Sequence, residues 1–154
     1  MSLLGQNAPD FTLPNTKKEP VALSSYRGKK LVIAFYPAAF TGVCQKEMCT
    51  FRDTLGTLNE AGADVVGISV DMPFSNGAFA SANGVSFPLL SDVHRAAVRA
   101  YGVSWPNFAG IAGLEVANRA VFVVDAAGKV VYEWIAANPG VEPDYEAVKA
   151  AAAG

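Results

Sequence analysis

An α/β fold, with a mixed central β-sheet and helices on both of its faces, is what this sequence predicts. Two observations carry that expectation. Short apolar runs rich in β-branched residues, such as Leu31–Tyr36 and Val65–Val70, alternate with longer stretches whose apolar residues recur every three or four positions. Later, two further apolar runs flank Ala126-Ala-Gly128, the pattern of a β-hairpin. The first feature calls for parallel strands joined through helices and the second for antiparallel ones. Together they predict a sheet that is parallel in its centre with an antiparallel edge.

The elements follow in order. Ala8–Pro14 is too rich in proline for a central strand and suits an edge strand or extended entry. Val21–Leu23 is a second short extended piece, and Ser24–Gly28 a turn or single helical turn. Leu31–Tyr36 is apolar throughout, as a strand covered on both faces must be, and Pro37 stops it. From about Gly42 to Ala61, Met48, Phe51, Leu55 and Leu58 form one apolar stripe of a helix, with Gly62 as its C-terminal cap. Asp64–Asp71 is the next buried strand, Phe74–Asn83 a helix closed by Gly84, and Phe87–Leu90 a short strand. Asp92–Tyr101 is a short helix closed by Gly102, and Val103–Ala117, with Pro106, Gly110 and Gly113, a loop that packs over a site. Arg119–Asp125 and Lys129–Ala136 are the hairpin strands, and Glu142–Ala153 is an alanine-rich terminal helix. This order of elements resembles that of the thioredoxin-like folds.

Composition narrows the function classes. The 154 residues are 51% hydrophobic and 17% charged, enough to bury one substantial core, and no linker divides them, so 1–154 is expected to be one domain. A net charge of −2 carries no electrostatic footprint for nucleic acid or an anionic membrane. Apolar runs such as Ala120–Val124 are far too short to span a bilayer. Met1-Ser-Leu-Leu-Gly-Gln lacks the basic and long apolar regions of a signal peptide, so the cytosol is the expected compartment. Thiols there are kept reduced, and two cysteines suit catalysis or metal binding better than a structural disulfide.

Those two cysteines, Cys44 and Cys49, lie in Pro37-Ala-Ala-Phe-Thr41-Gly-Val-Cys44-Gln-Lys-Glu47-Met-Cys49, where a strand gives way to a helix. A helix N-terminus presents unpaired N–H groups and the positive end of the macrodipole, which favour an anion such as a thiolate. The thiolate is the nucleophilic form of cysteine, so the placement of Cys44 points to reactivity as well as to packing. Zinc is a poor fit, since a structural site needs four ligands and the chain offers two cysteines without a C-x-x-C pair and one histidine. That histidine, His94, lies far along the chain from Cys44, on the predicted short helix, and suits a surface or capping role.

Tyr36-Pro37-Ala-Ala-Phe-Thr41-Gly-Val-Cys44 resembles the proline-x-x-x-threonine/serine-x-x-cysteine signature of the peroxiredoxins, with no gap and after the expected strand. The resemblance implies a thiol peroxidase acting on hydrogen peroxide or alkyl hydroperoxides, without a metal or organic cofactor. It makes Cys44 the peroxidatic residue, which attacks one peroxide oxygen and becomes a sulfenic acid. Thr41 then orients the peroxide, and Pro37, which has no N–H, shields the sulfur from water. Arg119, at the start of the Ala120–Val124 strand, supplies a permanent positive charge to thiolate and peroxide. Glu47, one helical turn beyond Cys44, holds Arg119 in place. Each residue also has a plainer role: Cys44 as core, Pro37 as strand stop, Thr41 as helix cap, Arg119 as surface charge, and Glu47 as a first-turn acid favoured by the helix dipole.

Cys49 resembles the resolving cysteine of the Q-type, or bacterioferritin-comigratory, branch, which forms an intramolecular disulfide with the peroxidatic sulfur. Phe40-Thr-Gly-Val-Cys-Gln-x-Glu47 instead resembles the alkyl hydroperoxide reductase E branch, whose members commonly lack that cysteine. Residues five apart on a helix are separated by a rise of ~7.5 Å. A disulfide accepts Cα separations of ~4.4–6.8 Å, so joining the two cysteines requires the first turns to unwind. The alternative is that Cys49 is a core residue beside Met48 and that an outside thiol resolves Cys44. The oxidised form needs a thioredoxin-like or glutaredoxin-like protein, or a low-molecular-weight thiol, as reductant. The resemblance also implies a homodimer, with Val43 and the loop around Trp105 as the candidate contact. Trp105 and Phe108, beside Pro106, line the pocket or a subunit contact, or else only pack within the core or the loop. A thiol–disulfide oxidoreductase would use C-x-x-C at the helix start, where this chain has C-x-x-x-x-C. A redox sensor that does not turn over is the rival of another class.

Overall fold

A computed structural model describes residues 2–154; Met1, and the side chain of Leu55 in the predicted apolar stripe, lie outside the described residues. At its centre is a five-stranded sheet that includes β3 (Lys30–Phe35) and β4 (Ala63–Ser69), both buried along nearly their whole length. Short strands β1 (Thr12–Pro14) and β2 (Pro20–Ala22) precede them as a separate antiparallel pair. β5 (Leu89–Ser91) follows β4, and the short strands β6 (Ser104–Trp105) and β7 (Val116–Ala117) lead to β8 (Ala120–Val124) and β9 (Val130–Ile135). The order in the sheet is β5-β4-β3-β8-β9.

β5, β4 and β3 run parallel, whereas β3–β8 and β8–β9 are antiparallel. The expected parallel centre with an antiparallel edge is therefore corrected: the sheet is half parallel and half antiparallel, and β3 is the border. The cause lies in the connections. The chain that leaves β5 at Ser91 re-enters the sheet at that same end, where Ala120 meets Phe35, so β8 runs against β3. The Asp125–Lys129 turn then folds β9 back on β8. Register then does the positioning, because Phe35 pairs with Ala120. Arg119, the residue before β8, thus comes to the end of β3 where Pro37 leaves the sheet.

Alternation along the buried strands feeds two core layers. Leu31, Ile33 and Phe35 face one, with Phe122, Ala97, Val98 and Leu13. Val32, Ala34 and Tyr36 face the other, against Met48, Phe51 and Leu58 of α1 (Gly42–Glu60), Phe79 of α2 (Pro73–Asn83) and Val148 of α4 (Tyr145–Ala153). Helices thus cover both faces, α1, α2 and α4 on one and α3 (Ala96–Ala100) on the other, where the β1–β2 hairpin helps.

Several boundaries differ from expectation. α3 begins at Ala96 rather than Asp92, because Arg95 takes a left-handed backbone (φ 61°) and the Asp92 carboxylate accepts from Val98 N at 2.8 Å. α4 begins at Tyr145 rather than Glu142: Pro143 precedes it and Asp144 caps it, accepting from Ala147 N at 3.2 Å. Val103–Ala117 is not wholly a loop, since β6 and β7 pair antiparallel at its ends.

Candidate active site

The site forms where α1 begins. Thr41 is the N-cap residue, extended at φ −83°, ψ 146°, and Gln45 N donates to Thr41 O at 2.9 Å as the first full helical bond. The amides of residues 42–44 precede that bond, so the positive helix end surrounds Cys44. The Thr41 side chain does not cap the helix; its hydroxyl donates to Ala38 O at 2.9 Å. Cys44 lies one turn before Glu47 on the same helix face, and both are fully buried.

Arg119 is buried with them, at 1% exposure. A guanidinium out of water is tolerated only when its donors are matched. Here Nη1 donates to Glu47 Oε1 at 2.8 Å and Nη2 to Cys44 Sγ at 2.9 Å. Nε and Nη2 also donate to Pro139 O, at 3.1 and 3.0 Å. The Asn118 amide group holds the backbone around Arg119, with Oδ1 accepting from Arg119 N at 2.8 Å and Nδ2 donating to Ala136 O at 2.7 Å. Pro139 and Asn118 were missed at the sequence level. A backbone carbonyl carries no residue signature, and the only signal for Asn118 was its place beside Arg119.

One guanidinium thus faces two groups that can be negative. Burial pushes the Glu47 carboxyl up to about 8, against the opposing pull of Arg119. Burial alone would lower the Arg119 guanidinium, but Glu47 and Cys44 outweigh it and raise it. Glu47 Oε2 accepts no hydrogen bond from the described residues. The contact between Glu47 and Arg119 therefore uses one carboxyl oxygen only.

Outside this cluster, Pro37, Thr41, Val43, Phe108, Arg119 and Pro139 line a concavity of about 220 Å³. Phe108 of the predicted covering loop reaches it; Trp105, in β6, is not among its lining residues. A larger concavity of about 500 Å³, beside Gly28, Asn59 and Asp64, lies at the other end of the sheet, away from both cysteines. His94 is exposed and takes no part in the cluster.

Cys49 faces elsewhere. It is half-buried on α1, and its Sγ lies 3.8 Å from Asn83 Oδ1 at the end of α2. Asn83 Oδ1 also accepts from Gln45 Nε2 at 2.7 Å, and Asn83 Nδ2 donates to Phe79 O at 2.9 Å. Both cysteines are unpaired, and α1 is continuous through them.

Comparison with known proteins identifies the family. The profile of the AhpC/TSA family matches residues 4–133. Alkyl hydroperoxide reductase E of Mycobacterium tuberculosis is 42% identical over 128 residues, which cover 81% of this chain and 80% of that protein. The chloroplastic peroxiredoxin Q of Sedum lineare is 40% identical over 126 residues, 82% of this chain and 65% of that protein. The crystal structure of peroxidoxin BcpB from Mycobacterium tuberculosis superposes with a TM-score of 0.84 at 32% identity, over 99% of this chain and 96% of that one. Relatives of both branches that the Cys44 region resembles are thus present, and the fold is shared over nearly the whole length. The chain belongs to the AhpC/TSA family and is a peroxiredoxin, a thiol peroxidase.

Proposed function

We propose that the chain, as one domain over 1–154, reduces hydrogen peroxide and alkyl hydroperoxides through Cys44. The observation that carries this reading is the contact of Arg119 Nη2 with Cys44 Sγ at 2.9 Å, in a buried site at a helix N-terminus. The thiolate attacks the terminal peroxide oxygen, the O–O bond breaks, and Cys44 becomes a sulfenic acid while the alkoxide or hydroxide takes up a proton. Negative charge spreads over sulfur and both oxygens in the transition state, so fixed donors there lower the barrier. Arg119 and the first-turn amides of α1 are such donors, Thr41 orients the peroxide, Pro37 excludes water, and Glu47 holds the guanidinium.

In the second half of the cycle the Cys49 thiol attacks the Cys44 sulfenic sulfur, water leaves, and a disulfide forms. Two equivalents of thiol, from a thioredoxin-like or glutaredoxin-like protein or a low-molecular-weight thiol, return both cysteines to the reduced state. One observation favours a second reading, a one-cysteine cycle resolved by an outside thiol: Cys49 Sγ faces Asn83 on α2 while Cys44 faces Arg119. A homodimer is part of the proposal, with contact around Val43 and the Trp105 loop; the exposed Phe40 and Ile111 on these same segments support it.

Intact mass after brief exposure of the reduced protein to less than one equivalent of hydrogen peroxide decides between the cycles. Loss of two hydrogens, abolished by Cys44→Ser and by Cys49→Ser, is the expected result. Gain of one oxygen that needs only Cys44 means the one-cysteine cycle. No change over minutes would sink the assignment of Cys44.

A further inference from the structure

Thr41 Oγ donates its only proton to Ala38 O, and the N–H on the other edge of that same peptide unit, Ala39 N, donates to Asp71 Oδ2 at 2.8 Å. A peptide is planar and trans, so its C=O and N–H point in opposite directions and turn together. We propose that Asp71 is a positioning residue for peroxide reduction: by holding the Ala38–Ala39 peptide, it fixes the direction in which the Thr41 hydroxyl presents its lone pairs to the peroxide. The inference rests on the reading of Thr41 given above.

Asp71 is itself held by the core. Ser69 Oγ donates to Asp71 Oδ2 at 2.8 Å, and Asp71 N donates back to Ser69 Oγ at 3.2 Å. Asn76 Nδ2 donates to Ser69 Oγ at 3.2 Å and to Ser91 Oγ at 3.1 Å, while Asn76 Oδ1 accepts from Tyr36 Oη at 2.6 Å. Tyr36, Ser69, Asn76 and Ser91 are all fully or almost fully buried. Tyr36 after β3, Ser91 of β5 and Asn76 of α2 thus form a hydrogen-bonded chain that reaches Asp71 through Ser69, and the Asp71 oxygen at its end grips one peptide of the loop before Cys44.

That loop needs a grip. Phe40, the residue between this peptide and Thr41, has φ 66°, a conformation that a bulky side chain adopts only when its surroundings impose it. Phe40 is 54% exposed, and its ring meets that of Phe79 edge-on with centroids 5.3 Å apart, a contact made by the side chain and not by the Ala38–Ala39 peptide. Asp71 supplies the missing constraint. With the peptide released, the Thr41 proton loses its acceptor and the hydroxyl rotates away from the orientation in which it accepts from a hydroperoxide.

The test is stopped-flow oxidation by hydrogen peroxide in a Cys49→Ser background, where only Cys44 reports. Asp71→Ala is expected to slow oxidation about tenfold, the effect of losing one charge-assisted hydrogen bond. Asp71→Asn, whose amide oxygen can still accept from Ala39 N, is expected to recover most of the rate. On a Thr41→Val background, itself slow, Asp71→Ala should cost nothing further, because two residues acting as one unit are not additive. Alkylation of Cys44 by iodoacetamide, which needs a thiolate but no oriented peroxide, should be unchanged in both Asp71 variants. An undiminished rate in Asp71→Ala, a multiplied loss in the double variant, or a matching fall in alkylation overturns the relay and leaves the role of Thr41 intact. An undiminished rate in Thr41→Val overturns the role of Thr41 and the relay with it.

Discussion

Arg119 and Cys44 are 75 residues apart in sequence, yet the guanidinium meets the sulfur at 2.9 Å because β3 and β8 pair with Phe35 opposite Ala120. The planar fork divides its donors between Cys44, Glu47 and Pro139 O. An ammonium group is a point charge and cannot hold all three positions. Arg119→Lys is therefore expected to slow oxidation of Cys44 by roughly 10- to 100-fold, the loss of a charge-assisted bond of about 1.5–3 kcal/mol. Stopped-flow rates with hydrogen peroxide measure it, and a loss under twofold would refute the donor role.

Glu47 links that geometry to pH. Burial raises its carboxyl to about 8 despite Arg119, whereas in the unfolded chain it sits near its ordinary 4.5. Between those values the folded protein holds a proton that the unfolded chain has released. Its stabilising contribution is thus complete below about 4.5 and is lost as pH rises through about 8. Urea midpoints measured across this window should fall with rising pH in the parent, and the fall should be shallower in Glu47→Gln. Parallel curves would remove Glu47 as the titrating group.

What was legible in the sequence follows the range of the interactions involved. The continuous apolar run of β3 and the periodic stripe of α1 are local patterns, and both elements lie where they were expected, within a residue or two. The spacing of Pro37, Thr41 and Cys44 around that junction is local as well. Arg119 and Glu47 came from the family resemblance, since no periodicity pairs residues across the sheet. α3 was overextended because a capping carboxylate and a left-handed arginine, Asp92 and Arg95, leave no trace in hydropathy. The two-residue strands β6 and β7 are too short for any alternation to show. Asp71 looked like the end of a strand, because its contact with Ala39 N depends on where β4 lies against β3.

The packing of α1 on the sheet gives a prediction about stability alone. A Cβ added to Gly67 of β4 would lie 2.7 Å from Leu89 Cδ2, 3.2 Å from Tyr36 Cε1 and 3.3 Å from Met48 Sδ. All three neighbours are buried, so the space can be found only by moving packed side chains. Gly67→Ala is expected to cost about 1–3 kcal/mol through overpacking. Chemical denaturation measures it, with the urea midpoint lowered and its slope unchanged; a midpoint equal to the parent's would mean that Leu89 yields without cost.

The proposed resolution by Cys49 depends on how firmly the start of α1 is held. The helical rise of ~7.5 Å between Cys44 and Cys49 exceeds the ~4.4–6.8 Å Cα separation of a disulfide, so the first turns must open before the sulfurs join. Asn83 resists that opening, since its Oδ1 accepts from Gln45 Nε2 at 2.7 Å and lies 3.8 Å from Cys49 Sγ. Asn83→Ala removes the acceptor from both groups while α2, closed by Gly84 with φ 62°, keeps its end. One neutral hydrogen bond is worth about 0.5–1.5 kcal/mol, so disulfide formation after a single equivalent of peroxide should speed up about two- to tenfold. Quenched-flow mass spectrometry follows the loss of two hydrogens, and far-ultraviolet circular dichroism the accompanying loss of helix. The variant should also form less sulfinic acid under excess peroxide, because a sulfenic acid captured sooner is oxidised less. If the disulfide forms at the parental rate and the helix signal still falls on oxidation, the tie between Gln45 and Asn83 is not the barrier. If neither a disulfide nor a loss of helix is seen in either protein, Cys44 turns over with α1 intact and an outside thiol completes the cycle.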